Sequence, residues 1–405
     1  MHRENRAMNR ALEGIRVVDL TVEFWGAIGA ALLADFGAEV IRIDPVGAPA
    51  AEDDDHAPGA WNARTELAQR NKQSLAVDLA SDRGRALVRD LVAVADVVIT
   101  DRSRAELAAL GLDYASLVAK KPDLIYARGS GFGAKGPDAD LPAIDEIAAA
   151  RTGMMPILPQ PGLPPVYPGH GQMYTAVMLA FGILTALHHR AKTGAGQEVD
   201  TSLFAGNMYG ASLDLQAYLA IGGERMLQPI SRLDAGNPMS GTMYMSQDGP
   251  WVTLTMPDTD RWWPIFAPLV DLAVDDPRFD THDKRCGANR LEMMQVLEAA
   301  VRRKPAAHWR AMFQEHQLSA DIIESYDFPA ADPQVYRNRY FLALDDPSHG
   351  TQTMLGFPIF MSETPARLFR GAPARGQHGA EILHDVLGLS EDEITALRVA
   401  GTIGG

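Results

Sequence analysis

Between Ile15 and Ala127 short runs rich in Val, Ile and Leu alternate with helical segments. The runs are Ile15–Leu20, Val40–Ile43, Leu75–Leu79, Asp96–Thr100 and Leu124–Ala127. The helical segments include Trp25–Phe36, Arg83–Ala95 and Arg104–Ala119. Strands joined through helices form βαβ units, and these build a parallel sheet covered on both faces. The pattern predicts a doubly wound α/β domain from Ile15 to about Gly210. Gly37 follows an alanine-rich helical run, where a glycine ends a helix in a left-handed turn.

The pattern changes after about Gly222. Asn237–Met256 reads as two alternating runs joined by Asp248-Gly249, a hairpin signal. Helical patterns follow at Thr259–Leu272 and Arg290–Gln317, so a small α+β domain extends to about Tyr326. A last helical region covers Ala380–Ala400. Pro156–Pro168 holds six prolines in thirteen residues and must be irregular. The domains expected are residues 1–222, 223–326 and 327–405.

A chain of 405 residues can bury the cores of two domains. Its net charge of −15 disfavours nonspecific nucleic-acid binding but leaves room for a local basic pocket. Cys286 is the single cysteine, so neither an intrachain disulfide nor a cysteine-based zinc site can form. The N-terminal residues lack the apolar core of a signal peptide, and a cytoplasmic location is expected. The longest apolar stretch, Ala176–Leu187, is too short to span a bilayer and reads as a buried core helix.

Several residues invite chemical readings. Gly129–Gly136 (GSGFGAKG) follows a strand, where glycine N–H groups can meet an anion or simply close a turn. The first turn, Thr21–Gly29, lacks G-x-G-x-x-G and carries bulky Phe24 and Trp25. That argues against a nicotinamide-binding domain, although Asp44 ends the second strand. His188 and His189 are adjacent on a helix, diverge by about 100°, and read as solvated. His170 lies between two glycines in a loop entering a helix, a setting open to either function or none. Asp145 precedes an alanine-rich helix and suits a first-turn acid as well as an active-site carboxylate. The Trp262-Trp263 pair reads as small-domain core.

Taken together, LEGIRVVDLT (Leu12–Thr21), LLADFGAEVIRID (Leu32–Asp44), RNKQSLAVDL (Arg70–Leu79), ADVVIT (Ala95–Thr100), GFGAKGP (Gly131–Pro137), HRAKTGAGQEVD (His189–Asp200), DPRF (Asp276–Phe279) and GAPARGQHGAEIL (Gly371–Leu383) resemble the family III CoA-transferases. That family includes formyl-CoA transferase, the carnitine CoA-transferase and α-methylacyl-CoA racemase. The resemblance implies a Rossmann-like large domain, a smaller domain, a C-terminal segment packing back on the large one, and two interlocked chains. It implies CoA and acyl-CoA as substrates, with no permanently bound cofactor or metal. It also implies a mechanism in which an aspartate attacks the thioester to give a mixed anhydride. CoA thiolate returns to form an enzyme thioester, and the acceptor carboxylate then collects CoA.

The family aspartate follows a glycine at the entry to the long helix, and here that pair is Gly171-Gln172. No Asp or Glu lies between Gly153 and Gly196. By resemblance, Phe24, Trp25, Val77, Asp78, Leu79, Asp101, Arg102, Ser103, Ile144 and Asp145 are the candidates for CoA contacts. Other departures accompany Gln172. The family's N-F-x-P-G reads Asp101-Arg102-Ser103-Arg104, Ala109 replaces a later arginine, and Ile144 stands where racemases place a histidine. An isoleucine carries no proton, which speaks against a two-base racemase.

The sequence therefore points to a nucleophile-free subunit, paired with a paralogous subunit in a heterodimer or heterotetramer, or with itself, acting on an acyl-CoA and a carboxylic acid. No nucleic acid or membrane is expected as a partner. A stand-alone isomerase or hydratase using Gln172, His170 and Asp145, and a non-catalytic CoA-ester binding protein, are the alternatives.

Overall fold

A computed structural model describes residues 10–47, 61–139, 141–222 and 228–404. Its main sheet has seven strands in the order β12-β3-β2-β1-β4-β5-β6. They are β1 (Arg16–Asp19), β2 (Glu39–Pro45), β3 (Gln73–Val77), β4 (Val97–Thr100), β5 (Ile125–Ser130), β6 (Gln197–Ser202) and β12 (Ile403–Gly404). β1 to β6 pair in parallel, and only β12 runs antiparallel, against β3. Strand order reverses between β1 and β4, which makes the carboxyl ends of these two strands the topological switch point.

Alternation along each strand sends side chains to opposite faces. Val18, Ile41, Leu75 and Val98 belong to one buried cluster, whereas Val17, Val40, Val97 and Ile99 belong to another. The second cluster includes Leu179 and Ile183 of a long helix. The helices of this unit are α1 (Phe24–Asp35), α2 (Ala63–Gln69), α3 (Asp82–Ala93), α4 (Arg104–Leu110), α5 (Tyr114–Val118), α6 (Asp145–Ala149), α7 (Gly171–Thr193), α8 (Leu203–Gly210) and α9 (Ser212–Ile221).

Three expected helices are each broken in two. Gly111, with φ of 63°, caps α4, and the Asp113 side chain caps α5, which splits Arg104–Ala119. Pro305 divides Arg290–Gln317 into Arg290–Val301 and Ala306–Glu315, because proline cannot continue a helix already under way. Gly388 and a Ser390–Glu393 capping box divide the last region into Gly379–Leu387 and Glu391–Val399. β6 was not expected; it is an edge strand of sequence QEVDTS, too polar to signal itself.

The helix α7 also corrects an expectation. It runs for 23 residues, long and apolar enough to cross a membrane by length and composition alone. One face is buried against α1, α8, β5 and β6. The other carries exposed Val177 and Leu184, and Phe181 at 69% exposure. It is therefore a half-buried helix rather than one buried all round.

The chain divides into two compact units. The smaller gathers Pro156–Val166 with the residues after Gly222 through Val335. The remainder, including everything from Tyr336 onward, forms the larger. The expected boundary after Tyr326 thus falls later, and most of the proline-rich segment belongs to the smaller unit. That unit holds an antiparallel sheet of β7 (Ser240–Met245), β8 (Trp251–Thr255) and β9 (Ala320–Ile323). Trp263, Phe266, Phe279 and Trp309 fill its core, while Trp262 is only partly buried. In the larger unit, β10 (Phe341–Asp346) and β11 (Gly350–Leu355) form a separate hairpin.

The segment RNKQS fastens this larger unit together. Arg70 is buried against Asp35 at 2.8 Å. Asn71, with φ of 65°, accepts the N–H groups of Phe369 and Arg370. Lys72 is wholly buried and donates to Asp19 at 2.7 Å, to the Ala27 carbonyl and to Gln69.

Candidate functional site

The first βα turn is held from two sides. Asp19, at the end of β1, accepts the Thr21 N–H at 3.0 Å and its hydroxyl at 2.6 Å, while Lys72 neutralises its other oxygen. Burial lowers the Lys72 pKa, and the adjacent Asp19 carboxylate opposes that shift. Asp101, just past β4, accepts the N–H of Val22 at 2.8 Å and of Glu23 at 2.9 Å. Burial pushes the Asp101 pKa up to about 7 despite these two bonds. A Cβ on Gly26 would collide with the same carboxylate. Two backbone donors of this turn, on Val22 and Glu23, are thus occupied by a side chain.

The second part of the site surrounds the start of α7. His170 is exposed at its N-cap, and Gln172 is half-buried in the first turn. The Gln172 side chain makes no hydrogen bond among the described residues. Asp145, 7% exposed at the start of α6, is the carboxylate enclosed beside this turn. It accepts the Asn207 amide on Oδ1 at 2.8 Å and the Tyr167 hydroxyl on Oδ2. Burial and the Asp145 contact raise the Tyr167 pKa. Asn207 lies over Gly171 so closely that a Cβ there would overlap its amide. Asn207 also donates to the Leu203 carbonyl one turn earlier in α8. Asp145, Tyr167 and Asn207 therefore share one corner against Gly171, the residue before the neutral Gln172.

Phe24 and Met173 both pack against the cluster of Ala27, Ile28, Ala68 and Ala176. Among the other candidates, Arg102 donates to the Leu20 carbonyl and pairs with Glu106, and Ser103 caps α4. Asp78 accepts the Ala80 N–H, and Leu79 packs partly on the core. Ile144 is 63% exposed. Two further candidates have buried side chains. Trp25 is buried with its ring against Gly129, and its indole N–H finds no partner among the described residues. Val77 is buried in the sheet core opposite Ile403.

The GSGFGAKG segment uses its polar groups internally. Gly133 N–H donates to Ser130 Oγ at 3.0 Å, and the Gly131 carbonyl accepts from Phe204. His188 and His189 are both exposed on α7. Among the described residues no three His, Cys, Asp or Glu side chains gather into a metal site. Tyr167, Asn207 and the Lys72–Asp19 pair were not singled out from the sequence. Tyr167 stands in a run of prolines and Asn207 in an apolar helix, and neither setting carries a periodic signal.

The chain belongs to CoA-transferase family III, whose family model matches residues 12–379. It is 32% identical to succinyl-CoA–D-citramalate CoA-transferase of Chloroflexus aurantiacus, over 97% of this chain and 98% of the relative. It is 29% identical to (R)-2-hydroxy-4-methylpentanoate CoA-transferase of Clostridioides difficile, over 96% and 98% respectively. The crystal structure of a CAIB/BAIF family protein from Brucella suis superposes with a TM-score of 0.81 at 27% identity, covering 93% of this chain and all of that one. Members of this family transfer CoA between acyl-CoA and carboxylic acids.

Proposed function

We propose that this chain is the nucleophile-free subunit of a heteromeric family III CoA-transferase, with a paralogous partner supplying the catalytic aspartate. The observation that carries the reading is the neutral Gln172 in the first turn of α7, one residue after the Gly171 that Asn207 covers, while both oxygens of the Asn207-bound carboxylate, Asp145, are engaged. An amide is a poor nucleophile toward a thioester carbonyl, and loss of a covalent nucleophile removes most of the catalytic acceleration. Asp145 is enclosed and hydrogen-bonded on both sides, which disfavours it as a replacement attacking group.

Exposed Val177, Phe181 and Leu184 on α7, with Tyr209, Leu213, Leu219 and Ile221 on α8 and α9, offer an apolar surface for a second chain. An interlocked arrangement with the paralogue would cover such a surface. CoA and its thioesters are substrates in this reading, and the complex works in the cytoplasm.

A second reading has one observation in its favour. The Tyr167–Asp145–Asn207 network is an ordered polar group at the same corner, and it would suit proton transfer on a bound acyl-CoA without a covalent intermediate.

Assays of the lone chain and of the chain co-expressed with its paralogue separate these readings. Negligible transfer alone and restored transfer in the pair are expected. Robust transfer by the lone chain, with a hydroxylamine-sensitive acyl-enzyme, would overturn the subunit reading.

A further inference from the structure

A cavity of about 220 Å³ opens at the amino ends of β2 and β3, where Glu39 and Gln73 begin those strands. Because β1 to β4 run in parallel, this end of the sheet lies opposite the switch point beside Asp101. The volume falls below the roughly 300–1,000 Å³ of pockets for drug-sized ligands. Arg10 and Arg370 both line it. Arg10 is held over Gly37, where a Cβ would overlap its side chain, and its Cζ lies 4.0 Å from the centroid of the Phe369 ring. Neither arginine pairs with a carboxylate among the described residues. Glu39, the one acid of the lining, is paired with Arg16 at 2.9 Å.

A contact beside the cavity shows what these cations lack. His378 Nδ1 lies 3.3 Å from the Ser74 backbone nitrogen, and its Nε2 lies 3.1 Å from Arg370 Nη1. Both neighbours are donors. A neutral imidazole has a single accepting nitrogen, and a protonated one has none. Ser74 is wholly buried, so its N–H needs Nδ1 as acceptor. The ring proton therefore sits on Nε2, and two N–H groups face each other there. Burial and the Arg370 charge lower the His378 pKa, which favours this neutral ring. Arg370 thus shares a cavity with a second cation and meets a third donor, unlike an arginine that merely lies on the surface.

We propose that this cavity binds a phosphate-type oxyanion, held by Arg10 and Arg370 with the His378 Nε2–H as the third donor. A planar carboxylate is filled by one guanidinium. Two guanidinia and an imidazole N–H suit the several oxygens and higher charge of a phosphate. The anion joins Arg10, the start of β3 and the C-terminal segment, whose Phe369 and Arg370 N–H groups already bond Asn71. A ligand in the switch-point crevice lies at the other end of the strands. This anion is therefore separate from the CoA substrate, and is either free phosphate or the phosphate group of a small metabolite. The inference does not depend on which subunit carries a nucleophile.

Calorimetry on the purified full chain, at neutral pH and constant ionic strength set with chloride, provides the test. Inorganic phosphate should bind at a single saturable site with a Kd of about 1 mM or tighter. Arg10→Gln and Arg370→Gln should each weaken it about tenfold or more, the scale of a lost charge-assisted hydrogen bond, and leave CoA affinity unchanged. Phosphate should also raise the His378 pKa in an NMR titration of the wild type, because an anion at Nε2–H favours the charged ring. That readout uses the unaltered chain, so a variant that fails to fold does not remove the test. A sugar phosphate identifies the source: tighter binding than inorganic phosphate assigns a phosphorylated metabolite, and equal or weaker binding assigns free phosphate. The proposal is overturned if phosphate does not saturate, if CoA displaces it, if either folded variant binds it as tightly as wild type, or if His378 titrates unchanged.

Discussion

The Asp101 carboxylate accepts the Val22 backbone N–H at 2.8 Å and so ties the carboxyl end of β4 to that of β1. Its other oxygen takes the Glu23 N–H at 2.9 Å. In open α/β sheets the crevice at the switch point is where ligands sit. Here a side chain from the protein itself satisfies two donors of that crevice, and Gly26 is the residue that gives it room.

This clasp has a pH signature. Folded Asp101 keeps its proton up to about pH 7, whereas its ordinary pKa is 3.8. The stabilisation from holding that proton is complete below the ordinary value and fades as pH rises through the folded one. The stability difference between wild type and Asp101→Asn should therefore fall between pH 4 and 7 by up to ~1.4 kcal/mol per unit. Denaturant melts across that range measure it, and a flat difference would mean that the carboxyl group titrates normally.

On the proposed reading, replacing Gln172 with Asp supplies the missing nucleophile. The variant, expressed alone, should form a hydroxylamine-sensitive acyl-enzyme that the wild-type chain does not form. Transfer should rise by about 10² or more, as expected when a covalent nucleophile is supplied to an otherwise ordered site. Mass spectrometry of the protein after incubation with acyl-CoA is the direct check. An unmodified Gln172→Asp chain would show that the remaining site no longer accepts the thioester.

The Asp145 network is stabilising because Asp145 and Asn207 are buried and Tyr167 is half-buried. Asn207→Leu should cost about 1–3 kcal/mol by stranding Oδ1, and Tyr167→Phe a similar amount at Oδ2. The double variant should deviate from additivity, since both act on one carboxylate. Changes within about 0.5 kcal/mol for each single variant, typical of surface positions, would show that water replaces both donors.

The buried pair of Lys72 and Asp19 should behave asymmetrically. Lys72→Met leaves Asp19 charged and enclosed and should cost about 3–5 kcal/mol. Combining it with Asp19→Asn should recover much of that loss, because the uncompensated charge is gone. Equal melting midpoints for wild type and Lys72→Met would contradict the pairing.

Much of the frame was legible in the chain. Runs such as Ile15–Leu20 and Asp96–Thr100 became β1 and β4 because apolar alternation and short length leave few other folds for them. Asp248-Gly249 marked the turn between β7 and β8 for the same local reason. The helix breaks at Gly111, Pro305 and Gly388 were also present in the sequence, but a continuous apolar period masked them. β6 was missed because an edge strand with one apolar inward residue, Val199, carries almost no period.

The sequence by itself determined the parallel sheet, the small α+β unit, the membership of a CoA-transferase family and the amide at position 172. These follow from periods of two and 3.6 residues and from motifs read along the chain. Only the tertiary structure decided that Asp145 is enclosed by Tyr167 and by Asn207, 22 and 62 residues away. The same holds for the tie between Asp101 and Val22, 79 residues apart. A hydrogen bond between distant residues leaves no repeat in the sequence, because its partners are brought together by strand order and helix packing rather than by spacing along the chain.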